Sequence, residues 1–164
     1  MKIYGVVGWK NSGKTTLVER LVTEITGRGI SVSTVKHAHH TFDVDHKGKD
    51  SFRHRSAGAR EVMLASRNRW ALMHELRHRD EPTLEFLLGK LAEVDLVLIE
   101  GYKRDEHAKI EAHRSGGEKL IALEDGTVRA IASDEPLPGV SLPVFDLDDI
   151  QAIADYILSE VGLA

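Results

Sequence analysis

Eight residues near the start of the chain have the types and spacing to hold a phosphate chain: Gly8-Trp9-Lys10-Asn11-Ser12-Gly13-Lys14-Thr15 fits the P-loop pattern G-x-x-x-x-G-K-[S/T] without a mismatch. A polyphosphate carries several negative charges, so the loop around it must offer donors without side-chain bulk. Glycines at 8 and 13 let the backbone approach closely, and the amides that open the following helix point at the anion. Lys14 supplies a point charge for the β- and γ-phosphates, and the Thr15 hydroxyl is a ligand for Mg²⁺. Gly8, Asn11, Ser12, Gly13, Lys14, Thr15 and Thr16 are therefore the candidate phosphate-binding residues.

A site of this kind needs an acid opposite the loop. In Asp95-Leu96-Val97-Leu98-Ile99-Glu100, Glu100 follows four apolar residues and should emerge beside the loop at the carboxyl end of a strand covered on both faces. Glu100 and Thr15 are the candidate Mg²⁺ residues, and the extra methylene of Glu relative to Asp favours contact through water. Gly101 then removes bulk near the γ-phosphate, while Asp95 sits at the wrong end of the strand for chemistry and reads as structural. GTP-binding proteins often read guanine with N-K-x-D or T-K-x-D after a late strand, and no such segment is present. Asp134 is the candidate guanine contact; an Asp opening a Pro-rich turn is the equal alternative.

A second unusual stretch runs Val35-Lys36-His37-Ala38-His39-His40-Thr41-Phe42-Asp43-Val44-Asp45-His46. Imidazoles and carboxylates together suit a transition metal or Zn²⁺, but H-A-H-H spreads its ligands around an extended chain and fits no zinc signature. The favoured reading is a polar loop over the phosphate site, with Asp43 or Asp45 approaching Mg²⁺ and a histidine donating to phosphate; a solvated loop is the plain alternative. In Gly48 to Ala59, Lys49, Arg53 and Ser56 share a helical face. Phe52 reads as core, and Arg53 and Arg55 suit a phosphate, the acids of a partner subunit, or solvent.

These residues require particular elements behind them. Lys2 to Val7 is a β-rich run, Thr15 to Ile25 has helical apolar spacing, and Ser31 to Lys36 alternates like a strand, which makes a β-α-β unit with parallel strands. A helix is expected from Lys49 or Asp50 to Ala57. Glu61 to Ser66 and Arg69 to His74 form an expected hairpin that extends the sheet antiparallel. Thr83 to Leu91 and Asp149 to Val161 read as amphipathic helices, and Ile110 to Ala112, Lys119 to Leu123 and Val128 to Ala132 as short strands. The expectation is an α/β fold of the three-layer P-loop NTPase type, mostly parallel, in one domain spanning residues 1–164.

Composition narrows the classes. With 164 residues, 41% hydrophobic, the chain supports one full core; it has no apolar run of the ~20 residues needed to span a bilayer, and begins on a strand in place of a signal peptide. A cytoplasmic protein with no membrane partner is expected. The absence of cysteine removes disulfides, thiolate catalysis and cysteine-based zinc sites. A net charge of −4 argues against nucleic acid, yet residues 36–79 hold ten Lys/Arg against five Asp/Glu and seven of the nine histidines. That excess suits an anionic ligand or a solvated basic face.

Taken together, Gly8 to Thr16, Val35 to Asp45, Gly48 to Ala59 and Ile99 to Lys103 resemble the MobB family, the adaptors of molybdopterin-guanine dinucleotide biosynthesis. The resemblance implies a homodimer that binds GTP with Mg²⁺, hydrolyses it weakly and assists the guanylyltransferase that joins a guanine nucleotide to molybdopterin. It would assign Gly13, Lys14 and Thr15 to phosphate and Glu100 to Mg²⁺, with His37, the Asp45 loop and Arg53 bordering the nucleotide or cofactor. Lys14, Glu100 and Asp45 are then the candidate catalytic residues. The competing enzyme class is a P-loop kinase acting on a small molecule with ATP, using Asp43 or Asp45 as base and segment 47–60 as acceptor site. A nucleotide-dependent switch that signals to a protein partner is the third.

Overall fold

A computed structural model describes residues 1–38 and 43–164. The strands are β1 (Lys2–Val7), β2 (Val32–Lys36), β3 (Glu61–Ala65), β4 (Trp70–His74), β5 (Leu96–Glu100), β6 (Lys109–His113), β7 (Val128–Ser133) and β8 (Val144–Asp146). The α-helices are α1 (Lys14–Gly27), α2 (Asp50–Ser56), α3 (Leu84–Leu88) and α4 (Ile150–Val161). The chain divides into two compact units, Met1–His37 with Leu88–Ala164, and Ala38–Leu87.

The first unit is built on a six-stranded parallel sheet in the order β2-β5-β1-β6-β7-β8. Parallel strands connected by crossovers are covered on both faces, which is why β5 reads Leu-Val-Leu-Ile without alternation and is buried throughout. One face sends Tyr4, Val6, Leu96, Leu98, Ile110 and Ala130 into a core closed by Leu17, Leu21 and Ile25 of α1 and Ile153, Ile157 and Leu158 of α4. Leu17, Leu21 and Ile25 recur every four residues and so line one side of α1. Each such burial contributes about 1.5–3 kcal/mol, which is what orients the start of α1 beneath the glycine loop. Asp149 caps α4 by accepting from the Ala152 amide at 3.1 Å.

Two features depart from the expected elements. Lys119 to Leu123 is not a strand: Ile121–Leu123 is a 3₁₀ turn. Its cause is Glu111, fully buried in β6, whose two carboxylate oxygens accept the Ile121 and Ala122 amides at 2.9 Å each and curl the segment around themselves. A further short strand, β8, follows Pro143 and pairs with β7.

In the second unit, β3 and β4 form the expected antiparallel hairpin, with Glu61 opposite His74 and Ala65 opposite Trp70. They bond to each other as a separate two-stranded sheet and do not continue the parallel one. Met63, Leu72 and Trp70 fall on one hairpin face by register, and all three are exposed. No helix among the described residues is long and apolar enough to cross a membrane.

Candidate functional site

The glycine loop joins β1 to α1 in the middle of the parallel sheet, where β5 and β6 flank β1. Gly8 has φ 150°, and a Cβ there would stand 2.4 Å from both the Ala112 carbonyl oxygen and Ser12 Oγ, so no other residue fits without moving backbone. Ser12 Oγ is itself buried with no hydrogen-bond partner. A buried orphan hydroxyl inside a loop of this pattern is a donor for an anion, and it supports the reading of the loop as a phosphate cradle. Lys14 Nζ donates to the Trp9 carbonyl at 2.5 Å. Burial, and after it the Lys103 ammonium, hold Lys14 below its ordinary pKa; Lys36 adds to this and Glu100 opposes it. Asn11, Gly13, Lys14, Thr15 and Thr16 line an open groove of about 460 Å³.

Thr15 and Glu100 meet as the spacing predicts. Thr15 Oγ1 donates to Glu100 Oε1 at 3.0 Å, and Glu100 is 9% exposed. The pair fits Mg²⁺ as two direct ligands, in place of the water-mediated contact expected for Glu, because both donors are hard oxygens and adjacent ligands of an octahedral ion bonded at about 2.0–2.1 Å stand about 2.8–3.0 Å apart. A third group joins them that the motif does not contain. Lys36, ending β2 opposite Glu100 in the ladder, places Nζ 3.0 Å from Glu100 Oε1 and 3.2 Å from Thr15 Oγ1.

His37 follows directly, its amide bonded to the Glu100 carbonyl at 2.9 Å and its ring 4.7 Å from that of Tyr102. The space left by Gly101 belongs to this histidine: a Cβ at position 101 would stand 3.0 Å from His37 Cβ. Asp95 takes the structural part expected of it, accepting the Ser31 amide and hydroxyl at 2.8 and 2.6 Å, contacts that hold its carboxyl below the usual range. Asp134, after β7, accepts the Ser115 amide at 2.7 Å through Oδ1, and its Oδ2 lies 3.8 Å from Arg114 Nη1. Arg114 in turn lies over Gly13, with Nε 3.1 Å from where a Cβ would be, and lines the groove with the loop residues. Lys36 and Arg114 are the cations that sequence reasoning missed. Lys36 lay within the His-rich segment, at the end of an alternating strand; nothing local marked Arg114.

On its other side the loop is anchored through Trp9. Its indole Nε1 donates to the Lys119 carbonyl at 2.7 Å, and the Lys103 ammonium sits 3.8 Å over the ring.

In the second unit, Arg55 gathers the acids of its own chain: Asp43 at 2.9 Å, Asp45 at 2.8 Å and Glu75 at 3.6 Å. Asp45 is 8% exposed and Arg55 also stands 5.1 Å over the Phe52 ring, so Phe52 is half-buried under a cation and not in a core. Arg53 is exposed, with Nη1 3.8 Å from Asp50. Of the metal reading, His39 and His40 lie outside the described residues; among the described ones no three His, Asp or Glu side chains cluster as a metal site.

A glycine loop between the central strand of a parallel sheet and the helix behind it, faced by a threonine–glutamate pair, defines a P-loop α/β protein. Residues 3–134 match the MobB family, described as molybdopterin guanine dinucleotide synthesis protein B, and the chain belongs to that family. It is 40% identical to the molybdopterin-guanine dinucleotide biosynthesis adapter protein of Escherichia coli, across 92% of this chain and 87% of that one. The adapter protein of Haemophilus influenzae is 40% identical across 94% and 86%. Among solved structures, Bacillus subtilis MobB superposes with a TM-score of 0.76 at 30% identity over 98% of both chains. A MobB homologue from Bacillus stearothermophilus gives 0.73 at 30% identity over the whole of both.

Proposed function

We propose that this protein is a GTP-binding adaptor for molybdopterin-guanine dinucleotide biosynthesis, a weak GTPase that assists the guanylyltransferase of that pathway. The observation that carries the nucleotide part is the Thr15–Glu100 contact of 3.0 Å at the mouth of the loop that holds Lys14. The adaptor part is supported by membership of a family whose relatives bear that name.

In this reading the loop amides, Ser12 Oγ and Lys14 bind and orient the phosphates, while Thr15 and Glu100 hold Mg²⁺. The ion supplies charge stabilisation for the β- and γ-phosphate oxygens. Arg114 covers the Gly13 side of the groove, and Asp134 both fixes the Arg114–Ser115 turn and provides the base contact through Oδ2. Slow hydrolysis follows from the state of the carboxylates. Glu100 would be committed to Mg²⁺ when nucleotide is bound, and Asp45 is buried and paired with Arg55 through Oδ1, so neither is poised to draw a proton from water. The same pairing counts against a kinase that would use Asp43 or Asp45 as base. The exposed Met63, Trp70 and Leu72 face of the hairpin supports a homodimer that buries it.

The test is a titration of the protein and its Lys14→Ala variant with Mg-GTP and Mg-ATP by calorimetry. GTP should bind more tightly than ATP, and Lys14→Ala should weaken binding by about 10- to 100-fold, the worth of one charge-assisted contact to phosphate. A preference for ATP would sink the nucleotide assignment. Pull-down of the guanylyltransferase with and without GTP then separates an adaptor from a kinase.

A further inference from the structure

The Lys36 ammonium stands where a metal cation would address the Thr15–Glu100 pair. Three facts place it there. Lys36 is the ladder partner of Glu100, so the two side chains rise from the same side of adjacent parallel strands. Nζ is within hydrogen-bond distance of both oxygens, 3.0 Å from Glu100 Oε1 and 3.2 Å from Thr15 Oγ1. Those two oxygens are 3.0 Å apart, so ammonium and metal would address one shared edge.

Two cations compete for that edge. A divalent ion bonded to both oxygens at about 2.1 Å would lie no more than about 4 Å from Nζ, and in a partly buried site like charges that close repel with little screening. Which one yields is decided by mobility. The Glu100 side chain is 11% exposed and fixed on an interior strand of the sheet, whereas the Lys36 side chain is 57% exposed on a flexible stem.

We propose that Lys36 is an internal counter-ion for the Thr15–Glu100 pair, displaced when Mg²⁺ enters, and that it thereby sets the Mg²⁺ concentration at which the site fills. This rests on the nucleotide reading above. Lys36 neutralises Glu100 and keeps it aimed at Thr15 until the metal replaces it. The side chain then swings outward, its charge still beside the phosphates.

The experiment is a Mg²⁺ titration of the protein bound to a fluorescent GTP analogue, starting in EDTA, for wild type, Lys36→Met and Lys36→Arg. Mn²⁺ bound to the same samples is counted independently by electron paramagnetic resonance. Lys36→Met should lower the half-saturating metal concentration by about three- to fivefold, the scale of a partly exposed ion pair, while Lys36→Arg stays near wild type. An unchanged or higher midpoint in Lys36→Met, with nucleotide still bound, overturns the counter-ion role alone. A wild-type protein that binds no nucleotide at any Mg²⁺ concentration overturns the nucleotide reading, and this inference with it.

Discussion

Replacing Glu111 by Gln isolates the contact that shapes one flank of the loop. The wild-type carboxylate is fully buried and accepts two amides, from Ile121 and Ala122, at 2.9 Å each. Gln keeps one oxygen acceptor but turns an NH₂ group toward the second amide, so one bond becomes neutral and the other becomes a donor facing a donor. A charge-assisted bond contributes about 1.5–3 kcal/mol and a buried unpaired donor costs about 1–3 kcal/mol. These overlap, which leaves about 2–4 kcal/mol, or roughly 30- to 1000-fold in the opening equilibrium. With a urea dependence near ~2 kcal/mol/M the unfolding midpoint should fall by about 1–2 M. Amide hydrogen exchange gives the sharper readout, because Ile121 and Ala122 should exchange faster while Ile131, inside β7, changes only with global stability. The reasoning is refuted if Ile121 and Ala122 keep their wild-type protection relative to Ile131. Since the Lys119 carbonyl receives the Trp9 indole, the P-loop should loosen together with the turn.

Arg114→Ala should weaken GTP and ATP alike by about tenfold or more through loss of a cation at Gly13, whereas Asp134→Asn should weaken GTP more than ATP through loss of the base contact; equal affinities across the three proteins would refute the placement. Burial, followed by the Lys109 charge, lowers the His107 pKa below 6.5, and its Nε2 has no hydrogen-bond partner. The unfolded chain therefore binds the proton more readily, so stability is lost as pH falls from about 6.5 toward the folded-state value. His107→Leu should flatten that part of the acid limb in urea melts run between pH 7.5 and 5.5, and a variant as acid-sensitive as wild type would contradict it.

The loop and its opposing acid were readable because each is a local pattern. Gly8 to Thr15 is contiguous, and the unbroken apolar run before Glu100 announces a strand covered on both sides, whose end must come out at the ligand edge. Lys36 and Arg114 were not, since their roles depend on register: 64 residues separate Lys36 from Glu100, and Arg114 reaches Gly13 only because β6 lies beside β1. Lys119 to Leu123 was misread as a strand because its bend is imposed from Glu111, outside the segment. At three residues, β8 is too short for periodicity to show. The Arg55 cluster was half visible: the charges were plain, but which arginine met the acids required the turn of α2.

The position of the two tryptophans has a practical meaning. Trp9 belongs to the phosphate loop, in van der Waals reach of the Lys103 ammonium, and Trp70 lies 68% exposed on the hairpin of the other unit. The molecule thus carries one tryptophan in each of its two units. With Trp70→Phe the tryptophan emission reports on the loop alone, and with Trp9→Phe on the hairpin alone, so events at the loop and at the hairpin become separate optical signals in an unlabelled protein.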